Sequence, residues 1–292
     1  MKIIRIGNTE LHLTFIYFVE CYCGKILTNN EIKKINEIKN RYIDWIYKTA
    51  GYYDKDVKIE HKYNLSHYTD NLKNYIDGLL ESYKNADILY NPFVCFLNKY
   101  MELKKYIKPY LKYLNCNMIV NDFIYTLKDI KSFILNKKVL LITPFCDLIK
   151  QQIENNNFNV LYNDIYKNTE FVYYTFPYKF FNTGEHNNNF ETLEIIKNEI
   201  IKLDFDIALL SCGADAGFLA DYIHALNKCS IYVGGILPVF FGIFGKREIG
   251  NSKNKLLFEN ENIDDFTPYI ITEIPDKYKP TKYNEIENGC YW

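Results

Sequence analysis

Asp206 to Glu248 reads DIALLSCGADAGFLADYIHALNKCSIYVGGILPVFFGIFGKRE. Ile207 to Leu210 is a short unbroken apolar run, the mark of a strand covered on both faces. Ser211-Cys212-Gly213-Ala214 is small enough for a tight turn. A helix is predicted from about Asp215 to Asn227, with Phe218, Leu219, Tyr222, Ile223 and Leu226 on one face. Ser230 to Val233 predicts a second buried strand, and Gly234-Gly235 ends it. The unit is strand–helix–strand, with glycines where the carboxyl ends of parallel strands lie. Open α/β sheets bind ligands in the crevice at those ends. Turn glycines also have purely conformational uses, and neither GxGxxG nor the P-loop pattern occurs, so the glycines alone name no ligand.

The same alternation extends upstream. Lys137 to Phe145 predicts the clearest strand of the chain, followed by a helix from about Asp147 to Glu154. Phe171 to Phe176 predicts another strand, and Tyr178 to Asn189 a polar loop holding Gly184, Glu185 and His186. A helix carrying Leu193, Ile196, Ile200 and Leu203 leads into the central unit. This order argues for an α/β fold with a Rossmann-like, mostly parallel sheet flanked by helices. The amino-terminal half is helix-rich. Its strand from Lys2 stops at Gly7, and Thr28-Asn29-Asn30-Glu31 matches a capping box. That box opens a helix with Ile32, Ile35, Ile38, Tyr42, Trp45 and Ile46 at helical spacing, ending before Gly51. Asp70 to Lys84 predicts a second helix, Ala86 to Leu89 a brief strand, and Asn98 to Leu114 a tyrosine-rich helix broken near Pro109. No Pro-, Gly- or Ser-rich linker interrupts the chain. The expectation is one α/β unit over 1–292, with a helix-rich part (1–135) and a Rossmann-like nucleotide-binding part (136–292).

Composition bounds the function. The 292 residues suffice for a substantial core, and a formal charge of −1 gives no long-range pull on nucleic acid or an anionic membrane. Eight cysteines, at 21, 23, 95, 116, 146, 212, 229 and 290, include no CxxC pair. They read as reduced, mostly buried thiols of a cytoplasmic protein. No segment reaches the roughly 20 apolar residues that span a bilayer. Leu11 to Val19 imitates a leader peptide, but Glu10, His12 and Thr14 interrupt it and no small-residue cleavage site follows. The carboxyl-terminal tail, from about Asn262, ends in Cys290-Tyr291-Trp292, too aromatic to stay in water, and is expected to pack back on the body.

The chemistry-bearing residues gather at strand ends. Arg5, Asn8 and Glu10 surround the turn at Gly7. A carboxylate two residues beyond an amide suits a hard cation, which takes few protein oxygens together with substrate phosphates. A solvated Arg–Glu pair accounts for the same residues. Gly245-Lys246-Arg247 brings two cations after a glycine-flanked apolar segment, which suits a diphosphate and equally a solvated basic turn. Asp215 directly follows the glycine turn and is a candidate base or a helix N-cap.

Several of these segments together resemble a bacterial and viral family of GT-D-type glycosyltransferases found among polysaccharide and glycan biosynthesis genes. The carrying residues are Arg5-Ile6-Gly7-Asn8-Thr9-Glu10, Val139 to Phe145, Asp204 to Gly213, Ile231 to Gly235, Phe241 to Arg247 and Asn288 to Trp292. The resemblance implies a Rossmann-like sheet binding a nucleotide-sugar, with Mg²⁺ or Mn²⁺ held at Glu10 and Asn8. Asn8 stands where a metal-binding Asp is expected, Ala214-Asp215-Ala216 replaces a glycine–tyrosine turn, and Glu248 stands where an aromatic commonly follows.

On this reading a UDP-sugar lies across Gly213, Gly234 and Gly235, where bare backbone N–H groups approach phosphate oxygens. Lys246, Arg247 and Arg5, with Gly7 at the turn, meet the departing diphosphate, and Asp215, before Glu185, takes the proton of a glycan acceptor. The expected partners are the nucleotide-sugar and the acceptor, with room for a homo-oligomer and none for nucleic acid. Two other classes stay open. One is a catalytically silent nucleotide-binding protein. The other is a hydrolase using Ser211 or Cys212 with His186 or His224, though the GxSxG elbow is missing.

Overall fold

A computed structural model of the chain describes residues 1–23, 27–57, 68–90, 97–115, 130–249 and 267–292. Six strands make one all-parallel sheet: β1 (Lys2–Arg5), β2 (Ile88–Tyr90), β3 (Lys138–Thr143), β4 (Glu170–Thr175), β5 (Ile207–Leu210) and β6 (Cys229–Tyr232). Their order is β2-β1-β6-β5-β3-β4. From β3 the chain steps one way to β4, then back across β3 to β5 and on to β6. The loops after β3 and β5 therefore splay apart at a topological switch point, the usual place for a ligand crevice.

Both faces of the sheet are covered, as the buried apolar runs of its inner strands β3 and β5 require. Ile4, Leu140, Ile142, Ala208 and Leu210 enter one core, while Ile3, Val139, Leu141, Ile207 and Leu209 enter the other. Over the first face lie α1 (Asn8–Cys23), α2 (Asn29–Lys48), α3 (Asp70–Lys84), α4 (Lys104–Tyr113), α7 (Asn189–Ile200) and α8 (Ala216–Ala225). The second face is covered by α5 (Cys146–Glu154), α6 (Asn157–Leu161), α9 (Ile236–Phe240) and the carboxyl-terminal tail. The tail packs back as its aromatics require: Trp292 is buried, and its indole N–H donates to the Tyr178 hydroxyl at 3.3 Å. Its first residues, with Cys95 and Cys116, lie outside the described residues.

Several expectations change. β1 pairs with both β2 and β6, so two strands of the sheet come from residues ahead of 136. Leu11 to Val19, leader-like in sequence, is the interior of α1, with every residue from Thr9 to Val19 buried. Pro109 lies inside α4 and does not end it. In α8 the buried face is Ala216, Gly217, Leu219, Ala220 and Ile223, with Phe218 and Tyr222 only half-buried. Small residues there let α3 approach, and the Ser82 hydroxyl donates to the Gly217 carbonyl at 3.0 Å. Among the six described cysteines only Cys146 and Cys212 are buried. Among the described residues, no helix is long and apolar enough to cross a membrane.

Candidate functional site

A cavity of about 570 Å³ opens along the carboxyl ends of the strands, within the range of ligand pockets. It is lined by the segments that follow β1 (Gly7, Asn8, Glu10), β3 (Pro144, Phe145), β4 (Phe176 to Phe180), β5 (Ser211 to Gly213) and β6 (Gly234, Gly235). Arg5, Arg247, Tyr291 and Trp292 also line it. The amino-terminal turn and the paired glycine turns thus share one space, although more than two hundred residues separate them in the chain.

The β1 turn is built around Gly7. Its carbonyl accepts the first helical bond of α1, from Leu11 N–H at 2.9 Å. A Cβ on Gly7 would lie 2.1 Å from Glu10 Oε2, so the carboxylate folds back over the glycine. There it meets the positive end of α1, a favourable place for an anion. Burial nevertheless pushes the Glu10 carboxyl above its usual range, and the Glu287 charge adds to that, against the downward pull of Arg5. Asn8 Oδ1 beside it is buried without a hydrogen-bond partner. An under-compensated carboxylate next to an orphaned amide oxygen fits a hard cation. Among the described residues no group of three His, Cys, Asp or Glu gathers at ligand spacing, so such an ion needs phosphate oxygens to complete its shell.

The β6 turn supplies the facing wall. Gly234 has φ +61°, and a Cβ there would lie 2.5 Å from Arg5 Nη1. Only glycine lets that guanidinium lie against the turn. Arg247 Nη2 approaches Gly235 in the same way, its Nε–H donates to Glu248 at 2.7 Å, and its guanidinium stacks 4.7 Å from the Tyr291 ring centre. Two arginines therefore sit over two bare glycines.

Three of the predicted residues are elsewhere. Asp215 is fully buried behind the cavity wall, ion-paired to Lys179 and accepting from Asn189 Nδ2 at 2.7 Å. Burial raises its carboxyl above the ordinary range despite Lys179. It does not line the cavity, which its partner Lys179 does, and its side chain does not cap α8. Lys246 is exposed and stands 5.6 Å from the Tyr283 ring centre rather than in the cavity, so Arg247 alone of the basic pair lines it. Glu185 is likewise exposed and outside the lining.

The nucleophile reading also loses its parts. Cys212 lines the cavity but is buried, its thiol pushed well above the usual range by desolvation and by Asp215. His186 is held by Thr192 at 2.8 Å, His224 is exposed, and among the described residues no histidine lines the cavity.

What the sequence did not reveal is the tail's contribution. Glu287 brings a second carboxylate to the lining from a segment in which Glu287, Asn288 and Gly289 all have φ between +48° and +66°. Asn288-Gly289 marks a turn in the sequence, but nothing local says that it carries Glu287 to the cavity.

The GT-D fold-like domain matches residues 77–238, more than half of the chain. The chain belongs to the GT-D-like family. The matched span holds β2 to β6 and the glycine turns, while the Arg5–Glu10 turn, Arg247 and Glu287 lie outside it. No curated protein and no solved structure matches this GT-D-like chain.

Proposed function

We propose that this GT-D-like protein is a glycosyltransferase that moves a sugar from a UDP-sugar to a glycan acceptor with a divalent metal, Mn²⁺ or Mg²⁺. The observation that carries this reading is the convergence of Arg5, Glu10, Arg247 and the Gly234-Gly235 turn on one cavity at the sheet's switch point. Glu10 and Asn8 would hold the ion, which supplies charge neutralisation to the diphosphate. Arg5 and Arg247 bind the diphosphate oxygens and stabilise the charge that develops as it leaves. Backbone N–H groups at Gly213 and Gly235 complete the phosphate cradle, whereas that of Gly234, expected to join them, donates to the Leu210 carbonyl at 3.1 Å and only shapes the turn. With Asp215 buried, the proton acceptor is Glu287. It takes the acceptor hydroxyl proton as that oxygen bonds the anomeric carbon, and the bond to the phosphate oxygen breaks with its electron pair leaving on UDP. Tyr291 and Trp292 help keep water out of the reacting space.

The test is UDP release from a panel of UDP-sugars with Mn²⁺, comparing wild type with Glu10→Gln. Loss of an interaction made to developing charge costs about 10²–10³ in kcat, so Glu10→Gln should release UDP that much more slowly. UDP binding without release from any donor would mean a silent nucleotide-binding protein. No binding at all would end the donor reading.

A further inference from the structure

A second groove, of about 330 Å³, adjoins the cavity. Trp45 and Thr49, at the carboxyl end of α2, line both spaces. The rest of the groove is Phe181, Lys282, Asp44, Lys48 and Glu285. Two observations set it apart from an accidental dent. Phe181 has φ +56° and Lys282 φ +62°, left-handed conformations that are rare for side chains of this bulk. The two sit on different loops yet meet, with Lys282 Nζ 5.4 Å from the Phe181 ring centre. Strained residues persist where their surroundings hold them, and they cluster at ligand clamps.

The charges say what the groove takes. Asp44 is ion-paired with Lys48 at 2.8 Å, which leaves Lys282 and Glu285 as one positive and one negative group. The groove is therefore formally neutral, unlike the arginine-bearing cavity beside it. It offers no net attraction to a phosphate or a carboxylate. It does offer two aromatic side chains, Trp45 and Phe181, between carboxylates that accept hydrogen bonds and ammonium groups that donate them. A sugar ring matches that set, with apolar C–H faces for the aromatics and hydroxyls at its rim for the charged groups.

We propose that this groove is the acceptor subsite, holding a neutral sugar ring of the glycan. This rests on the transferase reading of the main cavity. Glu285 lines the groove and Glu287 the cavity. A hydroxyl directed out of the groove past Thr49 and Trp45 thus enters the space where the donor lies.

Phe181→Gly and Lys282→Gly test it cleanly, because glycine adopts these φ values without strain and the fold is kept. Saturation-transfer NMR with methyl glycosides of glucose, galactose and N-acetylglucosamine reads the groove, and UDP titration with Mn²⁺ reads the cavity. At least one glycoside should bind the wild type and lose fivefold or more of its signal in Phe181→Gly, with UDP affinity unchanged within twofold. The assignment is overturned if no glycoside binds a protein that binds UDP. It is equally overturned if glycoside binding is unaffected by both substitutions, or if sugar phosphates alone occupy the groove. Glycosides held through Phe181 by a protein that does not bind UDP would overturn the donor reading and leave the sugar groove standing.

Discussion

The turns after β1 and β5 each carry a buried carboxylate two residues beyond the first residue of a new helical segment, and they have opposite fates. Asp215, after β5, is enclosed with Lys179 and Asn189, and its ion pair and hydrogen bond both lie within the core. Glu10, after β1, faces a cavity, shares it with a second carboxylate, and is only partly compensated by Arg5. A buried charge whose partners are complete belongs to the fold; one whose partners are incomplete is kept for a ligand. The difference comes from the neighbours brought by the fold, because both residues read alike in sequence as an acid beside a glycine turn.

Replacing Asp215 should have the largest effect on folding. Asp215→Ala leaves the Lys179 ammonium, 3% exposed, with Asn189 Oδ1 at 2.6 Å as its remaining polar contact. Breaking a buried pair from one side costs about 3–5 kcal/mol, which a urea-denaturation midpoint will show. The fraction that stays folded should still bind UDP. A loss below about 1 kcal/mol, well under the range for a broken buried pair, would erase the contrast and return Asp215 to the list of chemical groups.

Next in size is a pH effect seated in α1 one turn beyond Asn8. His12 is fully buried, stacked on Tyr42 at 4.1 Å between ring centres, with Nδ1–H donating to the Asn8 carbonyl at 2.7 Å and Nε2 without a partner. Desolvation, with further push from Lys99 and Arg41, lowers its pKa from 6.5 to about 4. Between those values the unfolded chain binds a proton that the native protein refuses, so stability rises with pH across the window and is lost on acidification. One pKa unit is about 1.36 kcal/mol, so the loss between pH 6.5 and 4 is about 3 kcal/mol. Raised carboxyls such as Glu10 and Asp215 act with the opposite sign, losing stability as pH rises through their native values. The difference between wild type and His12→Phe isolates the histidine. The variant keeps the stacking on Tyr42 and should be the more stable of the two at pH 5, with equal or greater stability at pH 7.5. Parallel pH curves would mean that His12 takes up its proton equally in the folded and the unfolded chain.

The sheet was legible because buried parallel strands are short apolar runs: Ile207 to Leu210 is β5 as read, and the run read from Lys137 to Phe145 contains β3 and overshoots it at both ends. α2 and α3 were legible from periodicity, and α2 also from its hydroxyl cap at Thr28; the cap of α3 at Thr69 was not read. α1 was not, because a helix buried on every side has no polar stripe to give it a period. In the site, the glycines and Arg5, Asn8, Glu10 and Arg247 were visible from residue type and position at strand ends. Glu287 and the groove formed by Trp45 and Phe181 were not. They depend on left-handed turns at Glu287 and Phe181 that neither residue's chemistry favours, and on a tail that returns across the whole chain.

The smallest substitution separates the two remaining meanings of Glu10. An acid in the first turn of α1 serves the helix end whether or not a ligand binds, which makes it a capping group by default. Gly7 has no positive φ, so its backbone accepts alanine, but the new Cβ would stand 2.1 Å from Glu10 Oε2 and displace the carboxylate. Gly7→Ala should therefore stay within about 1 kcal/mol of wild type in stability, as substitutions at helix caps do. Its Mn²⁺-dependent UDP release should fall about tenfold in kcat/KM, equivalent to about 1.4 kcal/mol. A stability loss with unchanged kcat/KM would make Glu10 a helix cap and place the β1 turn with the β5 turn, as part of the fold alone.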